Sequence, residues 1–224
     1  MNKNLTEMVF ILDRSGSMAS LVSDTIGGYN SLIEKQKTEE GEAAVTTVLF
    51  DDQYDVVCEN IDINKVEPMT NKVYFARGMT ALLDAIGKTV NTVAARQQTA
   101  VASAVPAKTV VVIMTDGMEN ASRIYSYDKV RRMIEHEKEK YHWEFLFLGA
   151  NMDAIKVAGR FGIRASRAVN YENDGVGTQL NYEVMSKAVS CARMSATATD
   201  MEAAFDKDEL FAPIREDYKR RHRK

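Results

Sequence analysis

EMVFILDRSGSMAS, residues 7–20, decides how this chain is read. Residues 8–12 form an apolar run, after Glu7, that stops at Asp13. Such a run, apolar at consecutive positions, predicts a strand buried on both faces, as parallel strands are. The chain then leaves that strand through an aspartate and spaces two hydroxyls, Ser15 and Ser17, on alternate positions around Gly16. Three kinds of chemistry use such a turn: a helix cap, a phosphoryl-transfer nucleophile, or half of a metal cage.

The elements that follow repeat the pattern. A helix is expected after Ser23 or Asp24, with Ile26, Tyr29, Leu32 and Ile33 on one side. EAAVTTVLFDD (42–52) predicts a strand, and YDVVCENIDI (54–63) a second, antiparallel one joined by the short link Asp52-Gln53. TALLDAIGKTVNTVAARQQ (80–98) is helical, with Leu82, Leu83, Ile86, Val90 and Val93 on one face. KTVVVIMTDG (108–117) is the most hydrophobic strand and again ends in an aspartate, Asp116. An amphipathic helix at SYDKVRRMIEHEKEK, a strand at WEFLFLGANMD, a short helix closed by Gly162, a short strand at RASRAVNY and a long helix from GTQLNYEV onward complete the domain.

Strands alternating with helices imply βαβ units and a mainly parallel sheet covered on both faces. One domain is expected over residues 1–200, followed by a charged C-terminal extension at 201–224, helical or partly disordered, whose basic end REDYKRRHRK (215–224) reads as solvated. The 224 residues suffice for one sizeable core, and the net charge of −3 offers no overall attraction to nucleic acid. No stretch is apolar and long enough to predict a membrane span, and no cleavable leader is recognisable. The two distant cysteines, Cys58 and Cys191, read as buried reduced thiols, which fits a cytoplasmic setting.

Ligands of open α/β sheets bind at the carboxyl ends of the strands. Asp13 and Asp116 end strands there, and Thr80, two residues after Gly78, stands at a loop-to-helix junction. Asp13, Ser15, Ser17, Thr80 and Asp116 offer only hard oxygen donors, which suit Mg²⁺, Mn²⁺ or Ca²⁺ and not zinc. Nearby Glu119 and Asn120 are expected in a solvated loop.

DRSGS (13–17), with Thr80 in GMTAL and Asp116 in TDG, resembles the metal-ion-dependent adhesion site of von Willebrand factor type A domains. The resemblance spans about residues 5–200 in element order. It implies a Rossmann-like three-layer α/β/α fold whose mainly parallel sheet carries one antiparallel edge strand. It also implies one divalent cation, Mg²⁺ foremost, held by Ser15, Ser17 and Thr80 with Asp13 and Asp116 direct or through water. The partner would be a protein presenting an Asp or Glu side chain, and the activity would be binding, not catalysis. Intracellular bacterial and phage members, including those of tellurium-resistance and stress operons, look closest.

An enzyme reading competes. Haloacid-dehalogenase phosphatases also start with a strand ending in a nucleophilic aspartate, but they place an acidic residue two positions on, where this chain has Ser15. A structural α/β module with a vestigial site is the other alternative. No Gly-x-Ser-x-Gly elbow and no phosphate-binding Gly-x-x-x-x-Gly-Lys loop occurs.

Overall fold

In the computed structural model, which describes residues 2–207 and 210–222, the chain forms six strands and seven helices among the described residues. Strand β1 (Asn2–Asp13) leads through a 3₁₀ turn (Gly16–Leu21) into α1 (Val22–Lys37). The hairpin β2 (Glu42–Phe50) and β3 (Tyr54–Asp62) follows, then α2 (Leu82–Thr99) and β4 (Pro106–Thr115). Next come α3 (Tyr127–Tyr141), β5 (Glu144–Gly149), α4 (Ala154–Arg160), β6 (Ala168–Asn170) and α5 (Gly175–Met194). Two helices close the chain, α6 (Ala198–Lys207) and α7 (Ala212–Arg221).

The sheet runs β3-β2-β1-β4-β5-β6, all neighbours parallel except the β2/β3 hairpin at the edge. This is the expected Rossmann-like arrangement with one antiparallel edge strand. The chain turns from building one half of the sheet to building the other between β1 and β4, so a crevice opens where those two strands end.

The apolar runs are explained by the two cores. Met8, Phe10 and Leu12 of β1 join Val110, Val112 and Met114 of β4 in the layer under α1 and α5. Val9, Ile11, Val111 and Ile113 point the other way, into the layer under α2, α3 and α4. Successive side chains alternate faces, and both faces are covered, so the centres of these strands are apolar on both parities. The edge strand β3 is mostly exposed and its register to β2 is interrupted around Thr47, which makes it a poor template for further strand pairing.

Several local expectations are corrected. Ser23 and Asp24 do not cap α1: the 3₁₀ turn precedes it and Leu21 occupies the cap position without a side-chain hydrogen bond. Ala81 occupies the cap position of α2, again without a side-chain hydrogen bond, and Thr80 stands just before it, at the loop-to-helix junction. The hairpin link contains Asp51 as well as Asp52 and Gln53. Cys58 and Cys191 are half-buried, and neither is in a disulfide. Over its described part the basic end forms most of α7, with Lys219, Arg220 and His222 exposed, while the two helices of the extension pack on the domain. Met201, Phe205, Phe211 and Ile214 of the last two helices lie in the core layer shared with α5. Arg221 of α7 pairs with Asp174 at 2.5 Å and with Asp217 at 2.9 Å. Residues 223 and 224 lie outside the described residues.

At the opposite end of the sheet two cations hold helix C-termini. Lys108 of β4 donates from Nζ to the carbonyls of Arg193 (2.8 Å) and Ser195 at the end of α5. The Arg193 guanidinium in turn donates to the carbonyls of Gln36, Glu39 (2.9 Å) and Gly41 (2.8 Å), just past α1. Such carbonyls have no partner within their helix, and cations complement the negative end of its dipole.

Candidate metal centre

The crevice between the ends of β1 and β4 gathers all five residues singled out from the sequence. Ser15 and Ser17 come from the turn after β1, Thr80 from the loop before α2, and Asp116 from the end of β4. The convergence has a simple measure. A Cβ placed on Gly117 would stand 2.7 Å from Thr80 Oγ1, 3.4 Å from Ser17 Oγ and 3.6 Å from Ser15 Oγ. Three hydroxyls from segments far apart in sequence therefore face one small space, which a glycine leaves open. Ser15 Oγ and Ser17 Oγ are 3.1 Å apart, and the Ser17 hydroxyl donates to Asp116 Oδ1 at 2.5 Å.

Asp13 is placed differently. Its Oδ1 accepts from the Ser15 N–H (2.7 Å) and its Oδ2 from the Thr115 hydroxyl (2.5 Å). It therefore holds the turn that carries Ser15 and Ser17, and it stands behind the hydroxyls. Other contacts fix the backbone around it. The Tyr74 hydroxyl donates to the Asp13 carbonyl at 2.6 Å, and Gly16 N–H donates to the Gly78 carbonyl at 3.2 Å. Gly78 has φ +66°, a left-handed conformation that glycine adopts without steric cost, and this brings the Thr80 loop onto the Ser15 turn.

The electrostatics are unusual. Asp13 and Asp116 are both about 1% exposed, and neither has a Lys, Arg or His partner among the described residues. Burial pushes the Asp13 carboxyl up to about 6, against the lowering effect of the Thr115 and Ser15 hydrogen bonds. Burial likewise raises Asp116, opposed by hydrogen bonds from Ser17 and Asn173. The Tyr171 phenol behind them is held well above its ordinary range by burial, with the charges of Asp116 and Asp13 adding to the effect. Two buried carboxylates without a counter-charge are costly, and a cation in the crevice would relieve that cost.

The donor set fits a hard divalent ion. It consists of carboxylate and hydroxyl oxygens with no sulfur or imidazole. No cluster of three or more His, Cys, Asp or Glu side chains of metal-binding geometry occurs among the described residues, so neutral hydroxyls must supply much of any coordination here.

Glu119 and Asn120 lie in an exposed loop, as expected, but their side chains also fix the rim of the site. Glu119 accepts from the N–H groups of Leu83 (2.8 Å), Ala121 (3.0 Å) and Ser122 (2.8 Å), tying the loop after β4 to the start of α2. Asn120 Oδ1 accepts from the Thr80 N–H at 2.9 Å and so sets the position of Thr80. Thr115, Tyr74 and Asn173 also support the site and were not apparent from the sequence. Only the adjacency of Thr115 to Asp116 hinted at a role, because the other two arrive from distant loops.

No protein-family model matches the chain, and no curated protein is similar to it in sequence. Solved structures do match. Proximal thread matrix protein 1 from the mussel byssus, in a form with zinc in its MIDAS motif, is 15% identical with a TM-score of 0.56, covering 83% of this chain and 46% of that one. A von Willebrand factor type A structure from Catenulispora acidiphila is 14% identical with a TM-score of 0.53, covering 83% and 42%. The ArnB paralog VWA2 from Sulfolobus acidocaldarius is 16% identical with a TM-score of 0.50, covering 85% and 45%. The chain thus spans less than half the length of these structures. With the sheet order and the antiparallel edge strand, these matches show that the chain has the Rossmann-like α/β fold of von Willebrand factor type A domains.

Proposed function

We propose that the crevice binds one divalent cation, with Mg²⁺ as the resident ion, and through it an Asp or Glu side chain of a partner protein. Ser15, Ser17 and Thr80 would hold the ion, with Asp116 and Asp13 acting directly or through water. The observation that carries this reading is the convergence of three hydroxyls beside two buried carboxylates that have no counter-charge. The zinc-occupied site of the mussel protein lends it support by analogy of fold. The bound ion supplies an electrophilic point that an incoming carboxylate can complete. The residues supply its orientation: the Ser15 turn is held by Asp13, Thr80 by Asn120, and Asp116 by Ser17 and Asn173.

The reading is one of binding, not of catalysis. In a phosphatase, Asp13 would have to attack from the crevice. Here both its oxygens hold groups inside the protein, and Ser15 cannot serve as a general acid near neutral pH. No helix among the described residues is long and apolar enough to cross a membrane. The cytoplasmic setting and the intracellular bacterial or phage type are proposed separately, on the resemblance carried by DRSGS, Thr80 and Asp116.

Titration calorimetry with Mg²⁺ and Mn²⁺ tests the first step. Wild-type protein should bind one ion, and Ser15→Ala and Asp116→Ala should lose it while keeping the circular-dichroism spectrum of the fold. Equal affinity in wild type and variants would remove the site. An affinity pull-down with and without EDTA, repeated on Asp116→Ala, tests the second step.

A further inference from the structure

The loops that frame the crevice carry an apolar rim. Val73, Phe75 and Met79 lie on the loop leading to Thr80, Met118 and Ile124 on the loop after Asp116, and Val176 in the first turn of α5. Met118 is 67% and Ile124 69% exposed, although both sit beside the most polar part of the molecule. Elsewhere the exposed large apolar side chains are scattered singly or lie on the edge strand, which is ordinary for a protein surface. Apolar residues gathered around a polar centre are the pattern of an interaction site.

These side chains are also held in place. The Asp84 carboxylate accepts from the N–H groups of Arg123 (2.8 Å), Ile124 (2.9 Å) and Tyr125 (2.8 Å), so the backbone beneath Ile124 is pinned to α2. Glu119 pins the same loop just after Met118. The guanidinium carbons of Arg14 and Arg77 stand 5.4 and 5.2 Å from the centre of the Phe75 ring and support it by cation–π contact. Anchors presented on a rigid frame lose little entropy when a partner docks.

The charges of the rim are mixed. Glu119 holds backbone, Asp174 engages Arg221 and the Gly177 N–H, and Asp51 and Asp55 engage Arg14 and Arg77. Lys72 and Arg123 are exposed without an ion-pair partner among the described residues, and so are Asp52 beside Gly78 and Asp24 beside Gly175. Selection therefore falls to the cation, which calls for an acid, and to the apolar side chains around it.

From this we infer that the partner's recognition segment is an Asp or Glu bracketed by apolar side chains, the acid directed at the cation and the flanks seated on Phe75, Met79, Met118 and Ile124. This rests on the cation reading and adds to it the chemistry of the flanking residues.

A random-peptide phage library is the probe. It is selected on immobilised full-length protein in Mg²⁺ or Mn²⁺, eluted with EDTA and sequenced, alongside calorimetry with the metal alone. The eluted pool should be enriched about tenfold in peptides with an acidic residue next to an apolar one, the gain expected from burying one or two such side chains. In Met118→Ser/Ile124→Ser the metal affinity should stay at its wild-type value. The enrichment in acidic residues should persist there, and the apolar preference should vanish. A wild-type pool enriched in acids without apolar neighbours overturns the inference and leaves the cation reading standing. Metal binding with no enrichment of acids at all also overturns it. No metal binding removes both.

Discussion

Asp13→Asn separates the structural cost of this site from its function. The Asp13 carboxyl titrates near 6, against about 4 for an ordinary aspartate. That difference corresponds to about 3 kcal/mol of preference for the protonated form in the fold. The sign follows from proton counting. Between about pH 4 and pH 6 the folded protein holds a proton that the unfolded chain has released, so metal-free stability falls as pH rises through that window and then levels off. Asparagine mimics the protonated state and fits the same contacts. Its Oδ1 can accept from the Ser15 N–H, and its Nδ2 can donate to Thr115 Oγ1, whose hydroxyl then turns to the Gly117 carbonyl 3.0 Å away. At pH 7.5 in EDTA the variant should therefore be more stable than wild type by up to about 3 kcal/mol, which in a domain of this size is roughly 6–12 °C in Tm. Added Mg²⁺ reverses the order. At one thousand times its Kd the ion stabilises wild type by about 4.1 kcal/mol and the variant by little. Differential scanning fluorimetry across pH 4–8, with EDTA and with Mg²⁺, reads all of this. A variant that melts below metal-free wild type at pH 7.5, or that gains as much from Mg²⁺, would refute the reasoning.

Three further outcomes are expected. Gly117→Ala should abolish ion binding in calorimetry with little change in Tm, because its Cβ would sit 2.7 Å from Thr80 Oγ1 in the space where the hydroxyls meet. Thr115→Val removes the hydroxyl that donates to buried Asp13; it should cost about 1–3 kcal/mol in urea unfolding at neutral pH and weaken Mg²⁺ binding. Lys108→Met strips the Arg193 and Ser195 carbonyls of their partner at the far end of the sheet; it should lower unfolding free energy by about 1–3 kcal/mol while leaving ion affinity unchanged.

Much of this architecture was readable in one dimension. A strand covered on both faces is apolar at consecutive positions through its centre, and residues 8–12 of β1, 110–114 of β4 and 145–148 of β5 carry that mark, each with its two parities divided between opposite cores. Asp13 and the hydroxyls spaced after it, Asp116 at the end of β4 and Thr80 before the next helix supplied the five candidate residues, and the resemblance to von Willebrand factor type A domains joined them into one site. Hydrogen-bond traffic was not readable. Asp84, Glu119 and Asn120 look like ordinary surface residues, yet their side chains hold backbone N–H groups of another segment in place. Such roles depend on which loop lies opposite, and no local periodicity encodes that. The same holds for the final helices: Met201, Phe205, Phe211 and Ile214 are sparse among charges, and only their packing in one layer with α5 reveals what they cover.

DRSGS put a carboxylate and two alternating hydroxyls after a buried strand, and Thr80 and Asp116 were needed beside it to favour a metal cage over a capped turn. Tertiary structure decided the rest. It assigned Asp13 to bracing the turn and left the facing positions to Ser15, Ser17, Thr80 and Asp116. It also buried two carboxylates without a counter-charge, a condition that arises only when β1 and β4 lie side by side and their ends close off water together.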